Sequence, residues 1–469
     1  MQTSISTLLP ASAVGGSTSR NALSTLSTEG CGQIRPPGYD CQWRYAVAGT
    51  LAATASGALS ARRRNVASQR AAIQNGAAEG VAVKFPLHSL GHVGRRGVVL
   101  SPFLAFSPAT GADSDLPKLP LQGYRAVVTG ASSGIGKGIA IGLGEKGATV
   151  FVTGRRADAI AEVASLVTQA GGQGVAIQCD HSKDDQVEKA FKAIAEQCGG
   201  ELDVLVNNVF QAPDTNPEIA RQLNEGAKFY ELPLSVWDDM HTVGLRSHYV
   251  SSRLAAPLLI KAAKSSKGRP LLCTTSSFGG VAPLFTPAYG VGKAASDRMV
   301  RDFQVELGPQ GIDCVSLWPG LVLTERVQEL LVKDPRRISR LSGGQDVYKV
   351  AETPVLTGRV IARLVQDEAL RSPPYLTADG LTGRICIVAE AARALNIADG
   401  GAEGTVAGKL YGTQRAPAPS IRSFGFLVPG PLREALPDSL RWIADPSSPL
   451  ASYDVTVPLD FMAQGPPSK

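Results

Sequence analysis

The 469-residue chain is poor in the patterns that build metal and disulfide sites. Its seven cysteines, at positions 31, 41, 179, 198, 273, 314 and 386, contain no CxxC pair, and its five histidines show no HExxH. No zinc-type ligand set can be assembled from them, so no metal is expected. Most of the last five cysteines fall in apolar stretches such as PLLCTT and GIDCVSL, which read as buried free thiols in a reducing compartment. Long strongly apolar runs are also missing. The uncharged stretch from Tyr45 to Ala61 is dominated by Ala, Gly, Ser and Thr and falls short of the about 20 strongly apolar residues of a permanent membrane span. There are no internal repeats.

Acidic residues are scarce at one end only. Residues 1–112 carry nine arginines and one lysine against Glu29, Asp40 and Glu79, whereas the rest of the chain holds 37 basic and 38 acidic residues. The basic excess therefore belongs to the leader, and a near-neutral body argues against nucleic acid as a partner. Residues 1–115, rich in Ser, Ala, Thr, Gly and Arg, have the composition of an organelle-targeting leader. Their Ser/Thr content favours a plastid over a mitochondrion. The alternative is an extension without an address, which would leave the protein in the cytoplasm. Little of residues 1–100 is expected to be ordered.

Beyond Leu119 the pattern changes. The apolar run YRAVV leads into TGASSGIGKG, and IGKGIAIGLGEKG places apolar residues at helical spacing. The glycines thus sit at a strand-to-helix turn, where free N–H groups and the positive end of the helix dipole can hold a phosphate. Gly130 permits the sharp turn, Gly134 the close approach of a pyrophosphate, and Gly136 close helix–strand packing. Gly130, Ser132, Ser133, Gly134, Ile135 and Gly136 are the candidate contacts. Strand-like ATVFVTG, GQGVAIQCD, LDVLVNN, RPLLCTTSS, GIDCVSLWPG and GRICIVA follow, with helical segments between several of them. That alternation predicts an α/β fold, a doubly wound parallel sheet of about seven strands with helices on both faces and nucleotide at the carboxyl ends of the strands. The predicted divisions are the leader at 1–115, a Rossmann-type nucleotide-binding domain at 116–400, and a Pro-rich extension at 401–469.

Thr129-Gly-x-x-x-Gly134-x-Gly136, Asn207-Asn208, Tyr289-x-x-x-Lys293 and Pro319-Gly320 occur in this order within the sheet pattern. Together, over about residues 120–395, they resemble the short-chain dehydrogenase/reductase family. VWDDMHTVGLRSHYVSS, AYGVGKAASDRM and VSLWPGLVLTE are similar to one branch of it. The resemblance implies an oxidoreductase that moves hydride between a nicotinamide and a carbonyl or alcohol of a small, lipophilic molecule. The alternative is an NADP-binding regulatory protein with little or no turnover. A homo-oligomer is common in the family.

The second strand ends in VTGRR, where a family member that prefers NAD would have an acid for the ribose 2′-OH. Arg155 offers a planar fork to a 2′-phosphate instead, so NADP(H) is the expected cofactor. Arg156 either assists or is a solvated residue at the helix start. Lys137 either faces the phosphates or lies exposed. Asp180 matches the family's contact to the adenine edge, unless it caps the helix beginning at SKDDQVEKA. Asn207 and Asn208 match the family's pair after strand four, one bracing the sheet and the other beside the ribose.

Tyr289 and Lys293 lie four apart on a predicted helix and so share a face. The resemblance makes Tyr289 the general acid/base, its pKa lowered by the ammonium and by an oxidised nicotinamide. Lys293 tunes it and holds the nicotinamide ribose. Ser276, 13 residues before Tyr289, matches the family's oxyanion donor, with Ser277 one residue off. Pro319 and Gly320 turn the chain after strand six, and Thr324 matches the contact to the nicotinamide carboxamide. One position departs from the family. Gly244 stands where an asparagine usually holds a water that links the lysine to solvent, and His241 and His248 are the only nearby substitutes by spacing.

The segment after Thr324 is the expected substrate lid. Phe210, Phe229, Tyr230 and Trp237, in an insertion after strand four, line an apolar mouth or pack in the core. In the C-terminal extension, Phe424, Phe426, Leu427, Leu440 and Trp442 suggest packing on the body rather than contact with a membrane surface.

Overall fold

The computed structural model describes residues 119–420, apart from 266, 282–284, 334, 336–341, 343–345, 374–375 and 377–379. The expected leader and the anchors Phe424 to Trp442 lie outside the described residues. Seven parallel strands form one sheet in the order β3-β2-β1-β4-β5-β6-β7. They are β1 (Arg125–Val128), β2 (Thr149–Gly154), β3 (Gln173–Gln178), β4 (Val204–Asn207), β5 (Leu271–Thr275), β6 (Asp313–Trp318) and β7 (Arg384–Ile387). The order reverses between β1 and β4, which opens a crevice at their carboxyl ends.

Helices cover both faces because successive strand residues point to opposite sides. Ala126 and Val128 join one core with residues of α1 (Gly134–Gly144), α2 (Ala157–Gln169) and the later helix Pro354–Gln366. Val127 joins the other with α3 (Asp184–Gln197) and the later helices Ser247–Ala263 and Pro287–Leu307. Strands β4, β5 and β6 are buried throughout, whereas the edge strand β3 alternates between exposed and half-buried residues.

Helix α1 contains five glycines, each costing helix stability of about 1 kcal/mol relative to alanine. Their reason is tertiary. A Cβ on Gly138 would collide with the Pro354 carbonyl carbon, and one on Gly142 would lie 2.8 Å from that of Gly358. The two backbones pack directly against each other.

The insertion after β4 holds α4 (Pro217–Asn224), started by Asn216, whose side chain accepts from the Glu218 N–H. Next, α5 (Ser235–His241) runs through a π-helical turn, Thr242–Arg246, into α6 (Ser247–Ala263). Then come α7 (Pro287–Leu307), α8 (Glu325–Lys333), α9 (Pro354–Gln366), α10 (Val388–Ala394) and α11 (Val406–Tyr411).

The expected division at residue 400 cuts through a packed unit. Asp399 is fully buried, accepts from the Thr353 and Gly400 N–H groups, and pairs with Arg415 at 3.0 Å. Ala407 of α11 packs with Ile141 and Val355. Residues 401–420 therefore continue the body, because a buried carboxylate needs its partners supplied from beyond the predicted boundary.

Candidate active site

The glycine turn is held by its neighbours rather than by its own side chains. Gly130 and Gly134 adopt φ of +64° and +59°, which a side chain would strain. A Cβ on Gly136 would strike the Asn208 amide and lie 2.5 Å from the Gly130 carbonyl oxygen. Asn208 Nδ2 donates to the carbonyls of Thr129 at 3.0 Å and Gly130 at 3.2 Å. Asn207 turns the other way, donating to Ser252 Oγ at 2.8 Å and so tying β4 to α6. Neither Ser133, the N-cap of α1, nor any acid in the first turn of that helix caps its N-terminus. A glycine-walled helix start that its own residues leave uncapped fits a pyrophosphate.

At the adenosine end, Arg155 and Arg156 are exposed. A Cβ on Gly154, beside Arg155, would lie 3.4 Å from Ser132 Oγ, so the end of β2 and the glycine turn are neighbours. Asp180 does not cap α3, whose N-cap is Lys183. It accepts instead from the Ser182 N–H at 3.0 Å and the Ser182 hydroxyl at 2.8 Å. Burial alone would raise the Asp180 pKa, but these bonds and the charges of Arg155 and Lys183 hold it below the ordinary range. Lys137 points at carboxylates, 3.4 Å from Glu162 and 4.0 Å from Glu325.

At the other end, the Gly320 N–H donates to Glu352 Oε1 at 3.0 Å. Burial pushes this carboxyl up to about 8, against the pull of that bond. A buried carboxyl beneath the Pro319-Gly320 turn was invisible in the sequence, where AETP reads only as a helix approach. Thr324 lies over the glycine turn, its Cγ2 3.4 Å from where a Gly134 Cβ would be.

The hydroxyl against Tyr289 belongs to Ser277, not to the expected Ser276. Ser277 Oγ and Tyr289 Oη are 2.7 Å apart. Ser276 is buried and donates to the Lys293 carbonyl at 3.1 Å. The reason is strand alternation. Ser276 extends β5 by donating its N–H to Leu317 O, so its side chain and that of Ser277 take opposite faces. Ser277 also accepts from the Gly279 N–H at 3.0 Å and caps the short turn Phe278–Gly280. That Ser-x-Gly cap and the period of two were the signals available; family spacing alone missed by one residue.

Tyr289 and Lys293 share the inner face of α7, which Thr286 caps by accepting from the Tyr289 N–H. A Cβ on Gly279 would lie 2.5 Å from Tyr289 Cε1, so only glycine admits the ring there. Burial raises the Tyr289 phenol above its ordinary pKa, Ser277 partly opposes it, and the nearby, half-buried Asp297 adds to it. The expected lowering by Lys293 is absent from the protein alone. The Lys293 ammonium donates to Thr275 O at 3.1 Å and stands 5.8 Å from the Tyr289 ring centroid. Burial pushes it down to about 8, with Asp297 opposing. Asp297, one turn beyond Lys293, accepts from Ser316 Oγ at 2.5 Å and Trp318 Nε1 at 3.0 Å, and sequence reasoning did not single it out.

Phe210 accounts for Gly244. Its Cδ2 lies 2.6 Å from where a Gly244 Cβ would be, and its ring sits 4.8 Å from the Lys293 ammonium and edge-on to Tyr289 at 5.8 Å. The ring takes the space of the family's asparagine. Neither histidine substitutes for it. His248 is buried, bonded through Nε2 to Val209 O at 2.9 Å, and pushed down to about 3 by burial. His241 bonds Trp237 O at 2.8 Å. Phe285 meets Tyr289 from another side at 5.0 Å, also edge-on. Phe229, Tyr230 and Trp237 are exposed.

Gly244→Asn should therefore destabilise the fold by about 1–3 kcal/mol through overpacking, read as a lower Tm. Adding Phe210→Ala should recover part of the loss. A Gly244→Asn chain as stable as the parent would show that Phe210 yields cheaply.

A short chain dehydrogenase family model matches residues 124–334. The mouse protein named dehydrogenase/reductase SDR family member 1 is 40% identical over 249 residues, covering 53% of this chain and 76% of its own length. The 7alpha-hydroxysteroid dehydrogenase of Escherichia coli K12 is 29% identical over 240 residues, covering 50% of this chain and 87% of the relative. An Arabidopsis thaliana protein named NADPH-dependent aldehyde reductase-like protein, chloroplastic, is 28% identical over 246 residues, covering 50% and 85%.

Proposed function

This chain belongs to the short-chain dehydrogenase/reductase family, and we propose that it is an NADP(H)-dependent carbonyl reductase of lipophilic small molecules. The observation that carries this reading is the Ser277–Tyr289 pair at 2.7 Å with buried Lys293 one turn along the same helix, beside a glycine-walled turn that no residue of its own helix caps.

Gly130 to Gly136 would hold the pyrophosphate, Arg155 with Arg156 the 2′-phosphate, Lys293 the nicotinamide ribose and Thr324 the carboxamide. Once bound, the cofactor supplies the hydride. The chain's own residues manage the oxygen and the proton. Ser277 donates to the substrate oxygen as charge grows on it. Tyr289, kept protonated by its burial, delivers the proton. Lys293 is a cation below about pH 8 and stabilises the phenolate left behind.

Two arginines and no carboxylate at the end of β2 support NADP(H) over NAD(H), in line with the name of the Arabidopsis relative. Phe210 and Phe285 edge-on around Tyr289 support an apolar substrate, as does the steroid named for the E. coli relative. Phe210 in place of the polar relay also favours a second reading, a weakly catalytic NADP-binding protein.

The test is oxidation of NADPH and NADH by the full chain against a panel of ketones, quinones and dicarbonyls, with Arg155→Ala alongside. NADPH should be preferred, and Arg155→Ala should weaken NADPH binding by about tenfold to a hundredfold while sparing NADH. Equal losses refute the cofactor preference. Tight NADPH binding without oxidation across the panel favours the second reading.

A further inference from the structure

The glycine turn is already engaged by an anion of the chain itself. Glu325 Oε2 accepts from the Gly134 N–H at 2.8 Å, although the two residues are 191 apart in sequence. Its other oxygen is 4.0 Å from the Lys137 ammonium. A backbone N–H at a helix start and a neighbouring ammonium are the donors expected of a phosphate site. The helix has no acid in its own first turn and Ser133 makes no cap bond, so the carboxylate at its start comes from elsewhere in the chain.

Glu325 opens α8, directly after Thr324, which lies over Gly134. The next residue, Arg326, pairs with Asp214 of the insertion after β4. The first turn of α8 therefore reaches the glycine turn on one side and the insertion on the other. An acid in a helix's first turn commonly serves that helix's own dipole. Here the carboxylate is turned away to the N-terminus of a different helix.

We propose that Glu325 is an anionic latch that sets cofactor affinity: its carboxylate holds the amide and ammonium that a dinucleotide pyrophosphate requires, and must leave for the dinucleotide to enter. The inference rests on the proposed nicotinamide dinucleotide reading. A carboxylate and a pyrophosphate repel each other and compete for the same donors, so each binding event includes breaking the Glu325 contacts.

The experiment is titration of the full chain with NADPH, followed by cofactor fluorescence at low ionic strength, for the parent, Glu325→Gln and Glu325→Ala. Both variants should bind NADPH about fivefold to tenfold more tightly, since both lose the competing charge and Glu325→Ala loses its hydrogen bond as well. The gap should narrow at high salt, as screening weakens the repulsion. NADPH binding that is equal in all three chains, or weaker in the variants, overturns the latch and leaves the cofactor reading intact. If neither NADPH nor NADH binds any of the three, the cofactor reading fails and the latch fails with it.

Discussion

Tyr289→Phe should lower carbonyl reduction by about 10²- to 10⁴-fold, the usual contribution of a positioned general acid, with NADPH binding unchanged. The ring itself is well held. It is clasped edge-on by Phe210 at 5.8 Å and Phe285 at 5.0 Å, and it fills the space left by Gly279. Removing the hydroxyl preserves that packing, so a loss of turnover reports on the proton rather than on the fold. The pH profile supplies a second readout. The phenol is raised by burial and keeps its proton through neutral pH. Lys293, lowered by burial to about 8, is an ammonium below that value and neutral above it. The reductive rate should therefore fall as pH rises through about 8, where the phenolate loses its neighbouring positive charge. Unaltered turnover in Tyr289→Phe would remove Tyr289 from the chemistry.

Ser277→Ala should cost about 10²- to 10³-fold in turnover, as does removal of a single oxyanion donor in other enzymes. Ser276→Ala should cost less than about tenfold, because it removes only a structural hydrogen bond worth about 1 kcal/mol. The contrast comes from direction alone. The two side chains are adjacent in sequence, yet Ser277 reaches Tyr289 Oη at 2.7 Å while Ser276 reaches the Lys293 carbonyl at 3.1 Å. Ser277→Ala also removes the acceptor for the Gly279 N–H. Thermal unfolding of both variants separates that structural cost from the catalytic one. A larger kinetic defect in Ser276→Ala would reverse the assignment.

The sheet was readable because its signals are local. Short apolar runs ending in Gly, Asn or Ser mark β1, β4 and β5, and helical spacing between them marks the crossovers. The i, i+4 relation of Tyr289 to Lys293 is equally local, since a helix fixes which residues share a face. Asn207 and Asn208 could be found as a pair, but not which of them braces the glycine turn, since that depends on β1 lying beside β4. Gly244 could be recognised as a departure; the ring that explains it comes from Phe210, 34 residues earlier. Asp297 and Glu352 look like ordinary helix and loop acids; packing sets the first, half-buried, next to Lys293 and buries the second beside Gly320.

From its residues alone, this chain declared a doubly wound parallel sheet, a glycine turn at a helix start, and a tyrosine and lysine on one helix face. Each of these follows from backbone periodicity and steric rules that act within a few residues. Tertiary structure decided the rest: Ser277 over Ser276, Phe210 against Gly244, and Glu325 on the Gly134 amide. Those choices depend on which face a strand end presents and which distant segment fills the space beside it. Close packing and the need to partner buried polar groups settle both, and neither has a fixed spacing in the chain.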